Sequence, residues 1–229
     1  MEWTPLTASQ CAKVAALKRA KEETSTMNVT TIGIDIAKNV FQFHGVDENG
    51  AVVLRRKVRR SGVLDFLASL PACLVAIEAC ASAHHWGREI ERLGHTVRLI
   101  PPQYVKPFVK RQKNDATDAE AIAEAASRPT MRFVAVKSAE QQGQSTLLKT
   151  RNLFLEQRTQ MMNALRGHLA EFGIVAAKGP ANLKKLEDYV VSCPESELPV
   201  SARNICIRLF DHVRLLDWQV EELTARIEA

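Results

Sequence analysis

At 229 residues, with 46% apolar and 25% charged side chains, the chain is large enough for one domain with a full core and a sizeable appendage. No stretch approaches the roughly 18 to 20 continuous apolar residues of a membrane span, which argues against a membrane protein. The N-terminus lacks the apolar core of a secretory signal, so a cytoplasmic protein is expected. Five cysteines, Cys11, Cys73, Cys80, Cys193 and Cys206, form no CxxC pair, which argues against a zinc knuckle or a disulfide framework. A net charge of +5 suits an anionic partner, although basicity alone is a weak signal.

Residues 1–28 read as an N-terminal extension, helical or disordered, with no alternation that ties it to a sheet. From Thr30 the period changes to two, placing Ile32, Ile34 and Ile36 on one face, and "DENG" supplies a turn at Asn49-Gly50. This predicts a three-stranded antiparallel meander. Ser61 is positioned to cap a short helix ended by Pro71. "CLVAIEA" then reads as a central strand buried on both faces. "SAHHWGREIERLG" reads as a helix stopped by Gly94, and "HTVRLIPP" as a further strand. A meander followed by strand, helix and strand predicts an α/β sandwich whose later strands are parallel. Beyond "MRFVAV", residues 138–172 and 200–229 have helical periodicity, the second near heptad spacing through Ile205, Leu209, Val213, Leu216, Val220, Leu223 and Ile227. They predict an antiparallel helical arm joined through "GPANLKKLEDYVVSCPESELP", residues 179–199.

Four carboxylates stand out. Asp35 is out of phase with the three isoleucines, and Glu78 closes an apolar strand at its C-terminal end, where open α/β sheets place ligands. Asp115 and Asp118 head the alanine-rich "KNDATDAEAIAEAA". Taken alone they fit a helix cap, with Asp115 as N-cap; three residues apart, they also share a helix face and can point at one spot. Four carboxylates at one edge would repel one another unless cations lie between them. With no His or Cys cluster competing, Mg²⁺ or Mn²⁺ is the matching cofactor, and two such ions suit phosphodiester chemistry.

Two basic runs fit that substrate: Arg55, Arg56, Lys57, Arg59 and Arg60 on the third strand, and Lys106, Lys110, Arg111 and Lys113 leading into the Asp115 helix. Tyr104 and Phe108 can stack on a base or pack in the core; the sequence leaves both open.

"GIDIAK", "IEACAS" and "KNDATDAEAIAEAA", in that order and followed by the long "LLKTRNLFLEQRTQMMNALRGHLAEFG" helix, resemble the DEDD-type, RuvC-like insertion-sequence transposases. That family includes the pilin-gene invertases and the bridge-RNA-guided recombinases. The resemblance implies a ribonuclease-H-like domain over 29–137 and a coiled-coil arm over 138–229 used in homo-oligomer assembly and RNA contact. It also implies a DEDD tetrad of Asp35, Glu78, Asp115 and Asp118, with DNA and a structured guide RNA as partners. Full-length members continue into a small helical domain bearing a nucleophilic serine. The chain stops at Ala229, about where that domain begins, so it is expected to carry the metal and nucleic-acid half alone, as a fragment or a truncated copy. Residues 1–26 precede Met27, close to where such proteins begin, and are expected to be upstream sequence.

Three rival readings remain. An actin-like kinase shares the "GID" strand and hairpin but needs a glycine-rich phosphate loop, which is missing here. A non-catalytic RNA- or DNA-binding module and a RuvC-like structure-specific nuclease both keep the same fold.

Overall fold

The computed structural model describes residues 28–109, 115–177 and 179–228; for Asp115, Ala116, Pro180 and Ala181 it describes the backbone alone. The expected N-terminal extension and Cys11 lie outside the described residues, as do Lys110, Arg111 and Lys113. The chain divides into two compact units, residues 1–139 and 140–229.

The first unit is built on strands β1 (Thr31–Asp35), β2 (Val40–Val46), β3 (Val52–Arg59), β4 (Leu74–Glu78) and β5 (Thr96–Ile100). Their order in the sheet is β3-β2-β1-β4-β5. The first three are antiparallel, while β4 and β5 run parallel to β1, as the patterning predicts. The hairpin of β2 and β3 closes on Asp47, whose Oδ1 accepts from the backbone N–H of Asn49 and of Ala51, with Gly50 at φ +79°. This mixed sheet, with helices on both faces, is consistent with a ribonuclease-H-like transposase domain.

One face carries Ile32, Ile34, Phe41, Phe43, Val75, Ile77 and Leu99. It packs against α1 (Val63–Ala68) and α2 (Ala83–Arg92) through Leu67, Trp86 and Ile90. Ser61 does not cap α1: it lies in a 3₁₀ turn over Arg60–Gly62, the N-cap is Gly62, and no side chain bonds the helix start.

His95 ties this layer together at the opposite end of the sheet from the strands' carboxyl termini. It is buried, its Nε2 lies 3.1 Å from the carbonyl oxygen of Leu67, and its Nδ1 lies 3.2 Å from the backbone N of Cys73. The tautomer with the proton on Nε2 donates to Leu67 and accepts from Cys73, so both buried backbone groups are satisfied. Burial pushes the neighbouring Cys73 thiol up to about 11, so it stays protonated at neutral pH. His95→Ala is expected to cost about 2–4 kcal/mol, from a cavity and two orphaned backbone groups. Thermal unfolding should fall by roughly 5–10 °C, with partial recovery in His95→Gln, which keeps a donor and an acceptor.

The second unit consists of α5 (Ala139–Ala170), α6 (Pro180–Ser192) and α7 (Val200–Glu228). Arg151 Nε donates to Thr224 Oγ1 at 2.7 Å, and Arg158 Nε lies 2.9 Å from Asp217 Oδ1. Seven residues forward on α5 match seven residues back on α7, so the two helices run antiparallel. The buried stripe of α7 is Cys206, Phe210, Val213, Leu216 and Val220, and Ile205 is exposed, so the seam begins one residue later than the sequence pattern suggested. The joining segment contains a helix, where the sequence reads only as a connection. Pro180 stands in its first turn, where a missing N–H costs nothing, and Leu186 and Val190 fill the core beside Leu165 and Phe210.

No helix among the described residues is long and apolar enough to cross a membrane.

Candidate metal centre at the carboxyl edge of the sheet

The sheet face opposite α1 and α2 is covered by α4 (Asp115–Ala126), reached from β5 through a single turn, α3 (Pro102–Val105), and a 3₁₀ turn over Lys106–Phe108. Alanines let α4 sit close. Ala76, Ile100, Val105, Ala121, Ile122, Ala125 and Ala126 form a second, smaller core there. The face to which Asp35 belongs is therefore a second buried layer, and only its edge is open.

Gly33 fixes how close that layer lies. A Cβ at this position would stand 2.2 Å from the carbonyl oxygen of Ala119 and 2.5 Å from the backbone N of Ala123. Only glycine allows the helix backbone to rest on β1 at this distance. The sequence reading passed over Gly33, although a glycine inside an otherwise β-branched strand is the signal for such an approach.

Strand alternation places Asp35 on the same face as Gly33, at the last residue of β1. β4 runs alongside in parallel, with Gly33 opposite Ala76 and Ile34 opposite Ile77, so Glu78 ends its strand beside Asp35 and on the same face. Both are half-buried. Asp118 lies one turn into α4, also half-buried. Burial, and then the negative charge of Asp118, raise the Glu78 carboxyl above its ordinary range. Cys80, two residues on, is raised as well, first by partial desolvation and then by Glu78, with a smaller contribution from Asp35. Asp35, Glu78 and Asp118 thus share one electrostatic neighbourhood.

α4 begins at Asp115 itself, so that residue belongs to the first helical turn; its side chain and any cap at residue 114 lie outside the described residues. Among the described residues no three His, Cys, Asp or Glu side chains stand together as a preformed metal site. The donor chemistry nevertheless fits a hard divalent cation: the carboxylates present offer oxygen alone, and their mutual repulsion is what a cation would relieve.

The basic run on β3 splits between faces. Arg55, Lys57 and Arg59 alternate with Arg56, and Arg55 lies 3.9 Å from Glu120 on α4. Arg56 lies over the ring of Phe66 at 4.7 Å, and Arg60 over that of Trp86 at 5.1 Å, both on the α1/α2 face. The β3 end nearest the acidic edge is Arg59, opposite Val40. Lys106 is exposed in the turn after β5, at the same edge. Tyr104 and Phe108 pack against the small core under α4, and Arg128 lies 5.4 Å over Phe108, which favours packing over base stacking for both rings.

Residues 32–174 match the family model of IS110-type DEDD transposases, described as transposase. The chain is 48% identical over 204 residues to the "Probable family 20 transposase" of Pseudomonas aeruginosa PAO1, covering 89% of this chain and 60% of that protein. It is 43% identical over 202 residues to the transposase for insertion sequence element IS1328 of Yersinia enterocolitica, covering 88% and 59%. To the transposase for insertion sequence element IS1111A of Coxiella burnetii it is 46% identical over 159 residues, covering 69% and 44%. The chain thus spans no more than about three fifths of the length of these relatives. A family match over more than half of its length, together with these identities, places the chain in the IS110-type DEDD transposase family.

Proposed function

We propose that this chain is the metal-binding and nucleic-acid-handling portion of a DNA recombinase that cleaves and transfers phosphodiester strands under the guidance of a structured RNA. Its ribonuclease-H-like domain would hold one or two Mg²⁺ or Mn²⁺ ions through Asp35, Glu78, Asp118 and Asp115. The observation that carries the reading is the placement of Asp35 and Glu78 at the ends of adjacent parallel strands, with Asp118 near enough to raise the Glu78 carboxyl.

Bound there, divalent cations supply Lewis-acid activation of the attacking and leaving oxygens. The chain's own residues do the remaining work. Gly33 and the alanines of α4 hold the Asp118 helix against the strands. Arg55, Lys57, Arg59 and Lys106 draw phosphates toward the edge, and Lys110, Arg111 and Lys113 extend that charge along the chain. Arg56 and Arg60 add charge on the other face. The antiparallel pair of α5 and α7 serves as a coiled-coil arm for homo-oligomer assembly, its register set by Arg158 and Asp217.

The test is direct. Purified protein is expected to retain RNA through metal-free washing and to cleave labelled DNA only when Mg²⁺ or Mn²⁺ is present. Cleavage that persists in excess chelator would sink the metal assignment. Retention of RNA with no cleavage of linear or branched DNA at any Mg²⁺ concentration would reduce the chain to a binding module.

A further inference from the structure

The two loops that leave the acidic strand ends build a second feature on the other face of the sheet. β1 runs through Asp35 into Lys38 and Asn39; β4 runs through Glu78 into α2, which carries His85 and Trp86. Together with Arg59 and Arg60 at the end of β3 they line an open groove of about 690 Å³. Its walls are fixed, because the Arg60 backbone N–H donates to the Asn39 carbonyl at 2.9 Å. Trp86 lines it, backed by the buried Phe41, which it meets edge to face at 4.8 Å; the Arg60 guanidinium lies 5.1 Å from the Trp86 ring centre and 5.7 Å from that of Phe41.

Two observations point to a ligand. Among the described residues no carboxylate forms an ion pair with Lys38, Arg59 or Arg60. Three such cations around one concavity repel one another unless an anion sits between them. The second observation is Trp86, a lining residue that is 5% exposed and whose buried indole N–H has no acceptor among the described residues.

We infer that this groove seats the phosphodiester backbone of a single nucleic-acid strand on its way to the acidic edge, with Lys38, Arg59 and Arg60 on adjacent phosphates. This rests on the nucleic-acid reading proposed above. Lys38 is three residues from Asp35, so their Cα atoms are at most ~11 Å apart. A strand in the groove is therefore delivered to the carboxylates by the same loop that ends β1. The guanidinium stacked on Trp86 is held in place before the strand arrives, which lowers the ordering cost of binding. A DNA strand and an RNA strand offer the same backbone, and the experiment separates them.

Fluorescence anisotropy of the full chain in chelator, with end-labelled single-stranded DNA and RNA of one sequence over a salt series, reads both affinity and salt dependence. Lys38→Gln/Arg59→Gln changes two exposed residues and should fold normally, as circular dichroism would verify. Affinity is expected to fall at least ~10-fold, and the slope of log K against log salt to shrink by roughly 1.4, about 0.7 for each single-strand phosphate contact. An equal charge change at Arg92→Gln/Arg98→Gln, on the β5 side of the unit, should leave the slope nearly unchanged. A loss confined to RNA assigns the groove to a guide, and a loss confined to DNA assigns it to substrate; either supports the site. Wild-type binding with no change in slope in the groove variant, or equal changes in both variants, overturns the groove and leaves the function standing. Absence of wild-type binding to either strand overturns both.

Discussion

Asp35→Asn is expected to reduce Mg²⁺-dependent DNA cleavage at least ~1,000-fold, equivalent to about 4 kcal/mol of transition-state stabilisation, while the fold stays intact. The substitution keeps the shape of the side chain at the end of β1 and removes the charge that would hold a cation. Metal binding gives a second readout that does not depend on turnover. At a Mg²⁺ concentration 100 times its Kd, linkage stabilises the folded chain by about 2.7 kcal/mol, and thermal unfolding of the wild type should rise by roughly 5–10 °C. Asp35→Asn should lose most of that rise. A variant that keeps the full metal-dependent rise, or cleaves within tenfold of wild type, would remove Asp35 from the centre.

Glu78 adds a pH signature to the same experiment. Its carboxyl is raised in the folded chain, by burial first and by Asp118 second, so between the ordinary glutamate pKa and the raised value the folded chain binds more protons than the unfolded one. In chelator, this contribution is fully present at acid pH and is lost as pH rises through the folded value. Glu78→Gln is therefore expected to make the metal-free chain more stable at neutral pH, to flatten its stability profile across that window, and to weaken the Mg²⁺ response. A neutral-pH loss of stability in Glu78→Gln would show that Glu78 is paired favourably without metal, rather than repelled by Asp118.

Gly33→Ala is expected to be the most damaging single methyl group in the sheet unit. The added Cβ would meet backbone atoms of Ala119 and Ala123 at 2.2 and 2.5 Å, and neither can rotate away. α4 must then lift from β1. Overpacking of this kind costs about 3 kcal/mol or more, roughly 6–12 °C in thermal unfolding for a chain of this size. Asp118 moves with the helix, so the Mg²⁺-dependent rise should shrink along with the stability. Gly45→Ala provides the contrast. Its Cβ would meet Leu54 Cβ at 2.9 Å and Val29 Cγ1 at 3.1 Å, a milder approach that involves no backbone atom, so a smaller loss is expected. Equal losses in the two variants would mean that α4 adjusts easily and that Gly33 does not set the position of Asp118.

Much of the sheet was legible because its signals are local and periodic. Alternation gave β1 and β2, an apolar run gave β4, and glycine and proline marked the ends of α2 and β5. The same local reading went astray where two meanings share one residue type. Residues 179–199 read as a connection and contain α6, and Ser61 reads as a cap and lies in a 3₁₀ turn. A heptad stripe on α7 can be drawn through Ile205 or through Cys206, and only contact with Leu165 and Leu169 selects the latter.

By itself the sequence determined the order of the strands and singled out carboxylates as candidate oxygen ligands, because strand phase and residue chemistry are carried by neighbours along the chain. The tertiary structure alone decided that β4 lies beside β1, which brings Asp35 and Glu78 to one edge from positions 43 residues apart. It also decided that Gly33 admits α4 and that Lys38, Arg59 and Arg60 surround one groove beside the strand ends. Those relations depend on which surfaces the core brings together, and burial acts between segments that share no local pattern.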